Sequence, residues 1–228
     1  MPLKKNITDA VTFFAVLDLL YRIKLSFLNH LSQINQFPNA TELSFPLGIK
    51  ASWNPAAHYT LPNPHLADWL LHTGSLTERL QAQSNHFEVK VLGQATIDAD
   101  ESEQAALVDY HKQKWQIREV VLFGDGKPWV FARSVLPEHL CKTTWATLGS
   151  QPLGQRIFND DNFVRSEFVI SKLTQNPLVT ESTSNNSHHE LWGRRSAFKI
   201  EDWNLLVAEV FLPDCPSYSH TARVKNAL

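Results

Sequence analysis

The chain is short of several features that would assign a protein quickly to a functional class. Its 228 residues include only two cysteines, Cys141 and Cys215, which stand far apart and in no metal-ligand spacing. Two such cysteines support neither a zinc site nor a disulfide framework, and they fit a reducing cytoplasm. Acidic and basic residues nearly balance, at a formal charge of -2, and the basic ones form no long stripe. We therefore expect no nucleic-acid partner.

Long apolar runs are also lacking. The run at 10–20 is too short to cross a bilayer, and Asp18 interrupts it, so we expect no transmembrane segment. No small-residue cleavage site follows that would indicate a signal peptide. The pattern is typical of an amphipathic helix from about Thr8 to Leu31, with weak contact to a membrane surface as the alternative.

Composition divides the chain into one main domain with extensions. We expect an N-terminal helical extension and a Pro-rich linker at 1–52, a domain at 53–216 and a frayed tail at 217–228. Within the domain, 176–190 is rich in Ser, Thr and Asn and predicts a mobile insertion. We expect the protein to act as a monomer.

Two hairpins dominate the domain. Trp115 to Leu136 contains an Asp-Gly pair at its centre, which is a strong turn signal, and Leu191 to Pro213 predicts a second hairpin with a four-residue loop at Glu201–Asn204. Further predictions are helices from Pro64 and from a Ser75 capping box through Gln83, a loop or surface helix start at Asp98–Gln104, a helix at Pro137–Leu148 and a strand at Phe163–Leu173. Hairpins and helices in separate blocks indicate an α+β fold on an antiparallel sheet.

A carboxylate in the last strand needs explanation. Glu209 shares a face with Leu205, Val207 and Phe211, and the other face of this strand is also apolar. Because a buried, unpaired carboxylate is costly, Glu209 needs a cation, a ligand or a bound proton.

Arginines in the central hairpin raise the same question. Arg118 shares a face with Val120 and Leu122, and Arg133 lies among apolar residues of the returning strand. We expect Arg118 and Glu209 to face one interior and to balance each other, either directly or through a ligand. A structural ion pair between the two hairpins stays an open alternative to a binding site.

Signatures of covalent or cofactor chemistry are absent. There is no GxSxG, no cysteine with an evident histidine partner and no cofactor motif, and Gly124–Lys127 is a turn rather than a phosphate-binding loop. Pro152, Leu153 and Gly154 place backbone amides at a helix start, where an anion binds well. These features favour a small, carboxylated and partly hydrophobic ligand.

Seven short segments carry a resemblance to a known family. In chain order they are Asp68–Leu71, Ser75–Thr77, Arg118–Leu122, Asp125–Trp129, Pro152–Gly154, Leu191–Ser196 and Glu209–Pro213. In these segments the sequence resembles the chorismate lyases of ubiquinone synthesis. The matches cover roughly Trp53 to Pro216 and leave out both the N-terminal 50 residues and the Ser/Asn-rich insertion.

The resemblance implies both an activity and a site. The activity is cleavage of chorismate to 4-hydroxybenzoate and pyruvate without metal or cofactor. The fold is a six-stranded antiparallel sheet with helices on one side, enclosing an internal site under helical flaps. Carried over by position, the ligand contacts are the main chain at Leu76, the Arg118 side chain, the main chain at Leu153 and the Glu209 carboxyl, with Arg118 and Glu209 as the catalytic residues.

Two other classes of function stay open. The effector domains of some bacterial transcription regulators share this fold by resemblance, so a small-molecule sensor is one alternative. Such proteins carry a basic DNA-binding module before the domain, whereas the first 50 residues here hold only five basic residues. A purely structural or interaction domain is the other alternative, in which Arg118 and Glu209 form an ion pair.

Overall fold

The structure is a computed structural model that describes residues 45–107, 110–143, 145, 153–158, 162–174, 178, 190–200 and 202–218. Its elements in chain order are β1 (Asn54–Pro55), α1 (Pro64–Leu70), α2 (Leu76–Gln83), β2 (Phe87–Thr96), α3 (Glu101–Gln104), β3 (Trp115–Gly124), β4 (Lys127–Pro137), α4 (Glu138–Lys142), α5 (Leu153–Phe158), β5 (Val164–Arg165), β6 (Val169–Leu173), β7 (Leu191–Ile200) and β8 (Trp203–Phe211). Short 3-10 turns lie at Ala56–His58, Tyr110–Lys112 and Pro216–Tyr218.

All strands in the described residues join one antiparallel sheet, which confirms the predicted α+β class. Its order is β1-β6-β7-β8-β4-β3-β2, and β5 also pairs with β7. In this part of the chain the sheet has eight strands rather than the expected six, because two-residue strands β1 and β5 extend its β6–β7 side. Six strands have five or more residues, and these form the body of the sheet.

The two predicted hairpins form, and their turns decide the register. β3 and β4 turn through Asp125 and Gly126, whose φ angles of 51° and 78° are the left-handed values that an Asp-Gly pair supplies. In the second hairpin, Trp203 and Asn204 belong to β8, and Ile200 pairs with Trp203. The predicted four-residue loop is therefore wrong, and each residue of β7 pairs two positions away from where that loop would place it.

Helices α1 and α2 begin as the sequence predicts. The Asn63 side chain accepts a hydrogen bond from the Leu66 amide at 2.8 Å, and Pro64 occupies the first turn of α1. The Ser75 hydroxyl accepts from the Glu78 amide at 3.3 Å and caps α2. These caps satisfy amides that have no acceptor within their own helix.

Two other expectations change. The predicted strand Phe163–Leu173 is interrupted, because β5 ends at Arg165 and β6 begins at Val169. The predicted surface position of Asp98–Gln104 is also wrong in part. This segment contains α3, but the Glu103 side chain is buried.

Apolar side chains cover both faces of the sheet. On one face, α1 and α2 pack Leu66, Trp69 and Leu80 against β3, β4 and β8, while α4 and α5 pack Leu140 and Ile157 against β4 and β8. The other face is covered by the segments around Ala99, Leu107 and Tyr110. The first face therefore carries two groups of helices, and the space between them and the sheet is where a cavity lies.

The predicted N-terminal helix at Thr8–Leu31 lies outside the described residues. The same holds for most of the 176–190 segment and for the tail beyond Tyr218. In the part of the chain that the structure describes, no helix combines the length and the apolar character needed to cross a bilayer.

Candidate active site

One cavity brings together all four predicted site residues. It lies between the sheet and the two helix groups, and about 670 Å³ of space around it is unoccupied by protein atoms, counting its opening to solvent. The sheet supplies Val89, Arg118, Val120, Leu122, Ala132, Ser134, Arg165, Arg194, Ser196, Phe198, Val207 and Glu209 to its walls, the helices supply Leu76, Thr77, Leu153, Gly154 and Ile157, and the link between β5 and β6 supplies Phe168.

Arg118 points from β3 into this cavity, as the strand alternation predicts. Its side chain is almost fully buried, and its Nη1 donates a hydrogen bond to the Gln94 Oε1 on β2 at 2.9 Å. Burial lowers the pKa of the Arg118 guanidinium from its ordinary value, and interaction with Cys141 opposes the shift. An arginine stays protonated at neutral pH even so, and thus this wall of the cavity is cationic.

Glu209 has a different partner from the one that the sequence suggests. Its Oε2 accepts a hydrogen bond from the Arg194 Nε at 2.6 Å, and the two residues face each other across β7 and β8. The Arg118 and Glu209 side chains line the same cavity, as expected, but of the two alternatives the direct pairing of Arg118 with Glu209 does not form, because Glu209 is paired with Arg194. Counting strand and residue spacings along the β3–β4–β8 register puts the Cα atoms of Arg118 and Glu209 about 12 Å apart.

Arg194 also holds the loop that follows α1. Its Nη1 donates to the Trp69 carbonyl at 3.1 Å and to the His72 carbonyl at 2.9 Å. Carbonyls at the end of a helix lack partners within the helix, so a guanidinium is a favourable neighbour there. A single side chain thus links the carboxylate of Glu209 to the helical pair α1–α2.

Leu76 and Leu153 lie opposite the sheet. Each is the first residue of its helix, α2 and α5 respectively, so its backbone amide has no acceptor within that helix. The two helix starts are in close contact, because a Cβ atom added to Gly154 would lie 3.0 Å from the Thr77 Oγ1. Helices α2 and α5 together form a roof over the cavity, and the term roof refers to these two helices below.

Two further arginines line the cavity, Arg165 and Arg194, and neither is among the site residues predicted from the sequence. The guanidinium carbons of Arg165 and Arg194 lie 4.2 Å and 4.5 Å from the centre of the Phe168 ring. Burial lowers the pKa of Arg165, followed by repulsion from Arg194, while attraction to Glu209 opposes the shift. The period-two alternation of β7 could have identified Arg194, because it places Arg194 on the same face of the strand as Phe198.

Charge and polarity of the walls now follow from these residues. Arg118, Arg165 and Arg194 contribute three positive charges and Glu209 one negative charge, so the described lining has a formal charge of +2. Aliphatic and aromatic side chains make up most of the remaining lining, with hydroxyls from Thr77, Ser134 and Ser196. Such walls suit a small molecule that has an apolar ring and negatively charged groups.

Arg133, the third buried charge in the sequence, lies on the other face of the sheet. Burial acts to lower the pKa of Arg133, but hydrogen bonds and attraction from Glu103 and Glu119 outweigh it, so the pKa is raised. Its Nη1 donates to Glu119 at 2.7 Å, and its Nε donates to Glu103 at 2.8 Å. Glu119 also accepts from the backbone amides of Leu47 and Gly48, each at 2.8 Å. This network is a structural one that ties the start of the domain to the sheet.

Metal-ligating side chains are not grouped in the described residues: no three of His, Cys, Asp or Glu come close enough to hold an ion. Both cysteines are buried thiols.

The fold and the cavity together define a class of protein. It is an α+β protein with one antiparallel sheet and, beneath a helical roof, an internal cationic cavity of the kind that binds a small anionic molecule.

Comparison with known proteins gives the family. The sequence model of the chorismate lyase family matches residues 47–223. A probable chorismate pyruvate-lyase of Pseudoalteromonas atlantica is 42% identical over 179 residues, covering 77% of this chain and 93% of its own length. A second, from Shewanella sp. strain ANA-3, is 40% identical over 184 residues, with 77% and 95% covered. The chain belongs to the chorismate lyase family.

A solved structure is also similar in part. PhnF from Mycobacterium smegmatis shares 18% identity and a TM-score of 0.48, covering 63% of this chain and 66% of its own. A likeness of this size carries no conclusion about function.

Proposed function

We propose that this protein is a lyase that cleaves chorismate to 4-hydroxybenzoate and pyruvate. The observation that carries the proposal is the formal charge of +2 on the described lining of an otherwise apolar cavity, which complements the two carboxylates of chorismate. The family and the names of the relatives support the same reaction.

Chemically, the reaction is an elimination that needs no second reactant. The C3–O ether bond breaks, and its electron pair leaves with the enolpyruvyl oxygen. The hydrogen at C4 is lost as a proton, its electron pair completes the aromatic ring, and a proton on the methylene carbon turns the enolate into pyruvate. All atoms of chorismate appear in the two products, so the balance requires no oxidant, reductant or water. A cofactor-independent lyase is consistent with that balance.

In this proposal Arg118 pairs with the ring carboxylate, and the main chain at Leu76 and Leu153 holds polar groups of the substrate under the roof. The ring then lies between Arg118 and Glu209, whose Cα atoms are about 12 Å apart, with its reacting edge towards Glu209. Two routes for the hydrogen remain open. Either Glu209 carries the proton, or the hydrogen moves within the substrate while the cavity holds its geometry.

The wider setting is part of the same proposal. The 4-hydroxybenzoate would supply the ring of ubiquinone, the reaction would take place in the cytoplasm, and the chain would act as a monomer. The support is the family resemblance together with a composition that suits a reducing compartment.

The experiment that tests the activity is incubation of purified protein with chorismate. Pyruvate is followed through lactate dehydrogenase and NADH, and 4-hydroxybenzoate by chromatography. We expect the two products in equal amounts. The Arg118→Ala variant removes the proposed partner of the ring carboxylate, and its kcat/KM should fall by a factor of about 100 or more.

Two outcomes separate this function from its alternatives. Wild-type protein that binds chorismate but releases no pyruvate would contradict the lyase and leave the sensor. Protein that neither binds nor cleaves chorismate would leave the structural or interaction domain.

A further inference from the structure

The three arginines in the described lining of the cavity are not equivalent. Arg194 already donates hydrogen bonds to the Glu209 carboxylate and to the carbonyls of Trp69 and His72, so its position is set by the protein. Arg165 projects from β5 at the outer edge of the sheet, and its guanidinium lies over the Phe168 ring at 4.2 Å. A ring in this position favours one plane of the guanidinium, and a guanidinium in a defined plane can bind a carboxylate through two parallel hydrogen bonds.

Arg118 and Arg165 lie at opposite ends of the cavity. One row of paired residues crosses β3, β4, β8 and β7 through Arg118, Ser134, Val207 and Ser196. Phe198, two positions further along β7, pairs with Arg165. Four strand spacings and two residue spacings give about 20 Å between the two Cα atoms. Each extended arginine side chain spans about 6 Å, so the two guanidinium groups lie at least roughly 8 Å apart, a limit reached only if both side chains lean fully towards each other.

Electrostatic surroundings agree with this separation. Burial lowers the pKa of both arginines; Arg194 and Glu209 also act on the pKa of Arg165, and Cys141 acts on that of Arg118. The cavity therefore has two cationic ends, with Arg118 at one and Arg165 at the other. A ring that carries one carboxylate directly and a second carboxylate on an ether side chain spans such a gap.

We propose that Arg165 binds the side-chain carboxylate of the dianionic substrate, while Arg118 binds the carboxylate on the ring. This assignment rests on the proposed function, because it takes chorismate as the substrate. It makes Arg165 the residue that distinguishes substrate from ring product. 4-Hydroxybenzoate has only the ring carboxylate, and thus it has no group for Arg165 to bind.

The test compares substrate and product in the Arg165→Gln variant. We expect kcat/KM for chorismate to fall about 10- to 100-fold, since a charge-assisted pair is lost, and the inhibition constant of 4-hydroxybenzoate to change less than about threefold. Arg165→Lys keeps the charge without the planar fork and should recover part of the loss. The matched control is Lys199→Gln, which removes a positive charge from an exposed position of β7 that does not line the cavity.

Two results would overturn the assignment. One is an unchanged kcat/KM for chorismate in Arg165→Gln. The other is a parallel rise in KM for chorismate and in the inhibition constant of 4-hydroxybenzoate, which is the mark of a distorted cavity. If Arg165→Gln fails to fold by circular dichroism, Arg165→Lys carries the comparison, with a selective loss of substrate binding as the expected result.

Failure of the proposed function is distinguishable from failure of this assignment. If the wild type releases no pyruvate, the lyase reaction is wrong. Titration calorimetry with intact chorismate and with 4-hydroxybenzoate then measures whether Arg165→Gln weakens the binding of chorismate, the dianion, more than the binding of 4-hydroxybenzoate. An equal effect on both ligands contradicts the role of Arg165, and a selective effect supports it.

Discussion

Replacing Glu209 by Gln separates binding from chemistry, because the two effects have opposite signs. The substitution keeps the shape and a hydrogen-bond acceptor for Arg194 but raises the formal charge of the described lining from +2 to +3. Repulsion between Glu209 and a substrate carboxylate about 6 Å away, at an effective dielectric constant of about 20, is on the order of 3 kcal/mol. Removing that repulsion should tighten chorismate binding by up to about 100-fold.

The chemical step should move the other way if Glu209 carries the proton. General acid–base catalysis contributes about 10²- to 10⁴-fold, so the rate of cleavage should fall by that factor. If the hydrogen moves within the substrate, the rate should stay within about tenfold of the wild type. The folded state should lose only about 1–2 kcal/mol, because Gln still accepts from the Arg194 Nε.

The assay is single-turnover mixing of excess enzyme with chorismate, because product release beneath a roof can limit kcat and hide the chemistry. Glu88→Gln, at an exposed position of β2, is the control for loss of one carboxylate outside the cavity. A cleavage rate close to that of the wild type rules out the proton-carrier route. Weaker chorismate binding by Glu209→Gln would refute the electrostatic reasoning itself.

Three other predictions concern stability and the roof. Arg133→Met leaves two buried carboxylates without their cation, so the free energy of unfolding in urea should fall by about 3–5 kcal/mol. Gly154→Ala places a Cβ atom 3.0 Å from the Thr77 Oγ1, and the dissociation constant of 4-hydroxybenzoate should rise about three- to tenfold. Burial raises the pKa of Cys141 to about 11 and of Cys215 to about 12, from 9.0. The unfolded chain therefore ionises first, and stability present below pH 9 should fall towards pH 11, by roughly 1 kcal/mol per thiol at pH 10.

Each of these has a result that contradicts it. An unfolding free energy of Arg133→Met within about 0.5 kcal/mol of the wild type means that the buried network is dispensable. If Thr77→Ala does not restore ligand binding in the Gly154→Ala background, the contact between the helix starts is not the cause. A double cysteine-to-alanine variant with the same loss of stability between pH 9 and 11 assigns that loss to other groups.

Local signals in the sequence predicted much of the fold. The Asp-Gly turn, the Ser75 cap and the alternation that turns Arg118 and Glu209 towards one interior all act within a few residues of the chain. Such patterns depend on backbone geometry alone, so the sequence is enough to read them.

The partner of Glu209 could not be read in this way, because it depends on the length of one loop. With a loop at 201–204, Glu209 would face Ser196. The observed pairing of Ile200 with Trp203 slips the register by two and brings Arg194 opposite Glu209. A two-residue slip keeps every side chain on its face, so the apolar pattern cannot distinguish the two registers. Arg165 was missed for a related reason, because β5 and β6 read as one continuous strand.

The hydrogen bonds of Arg194 have a consequence for anyone who redesigns this cavity. One guanidinium holds the Glu209 carboxylate and, on the same side chain, the carbonyls of Trp69 and His72 at the end of α1. A substitution at Glu209 will therefore be felt in the loop that leads into α2, and a change in that loop will be felt at Glu209. Their effects should not add, so variants of the two places must be measured as a cycle rather than combined on paper.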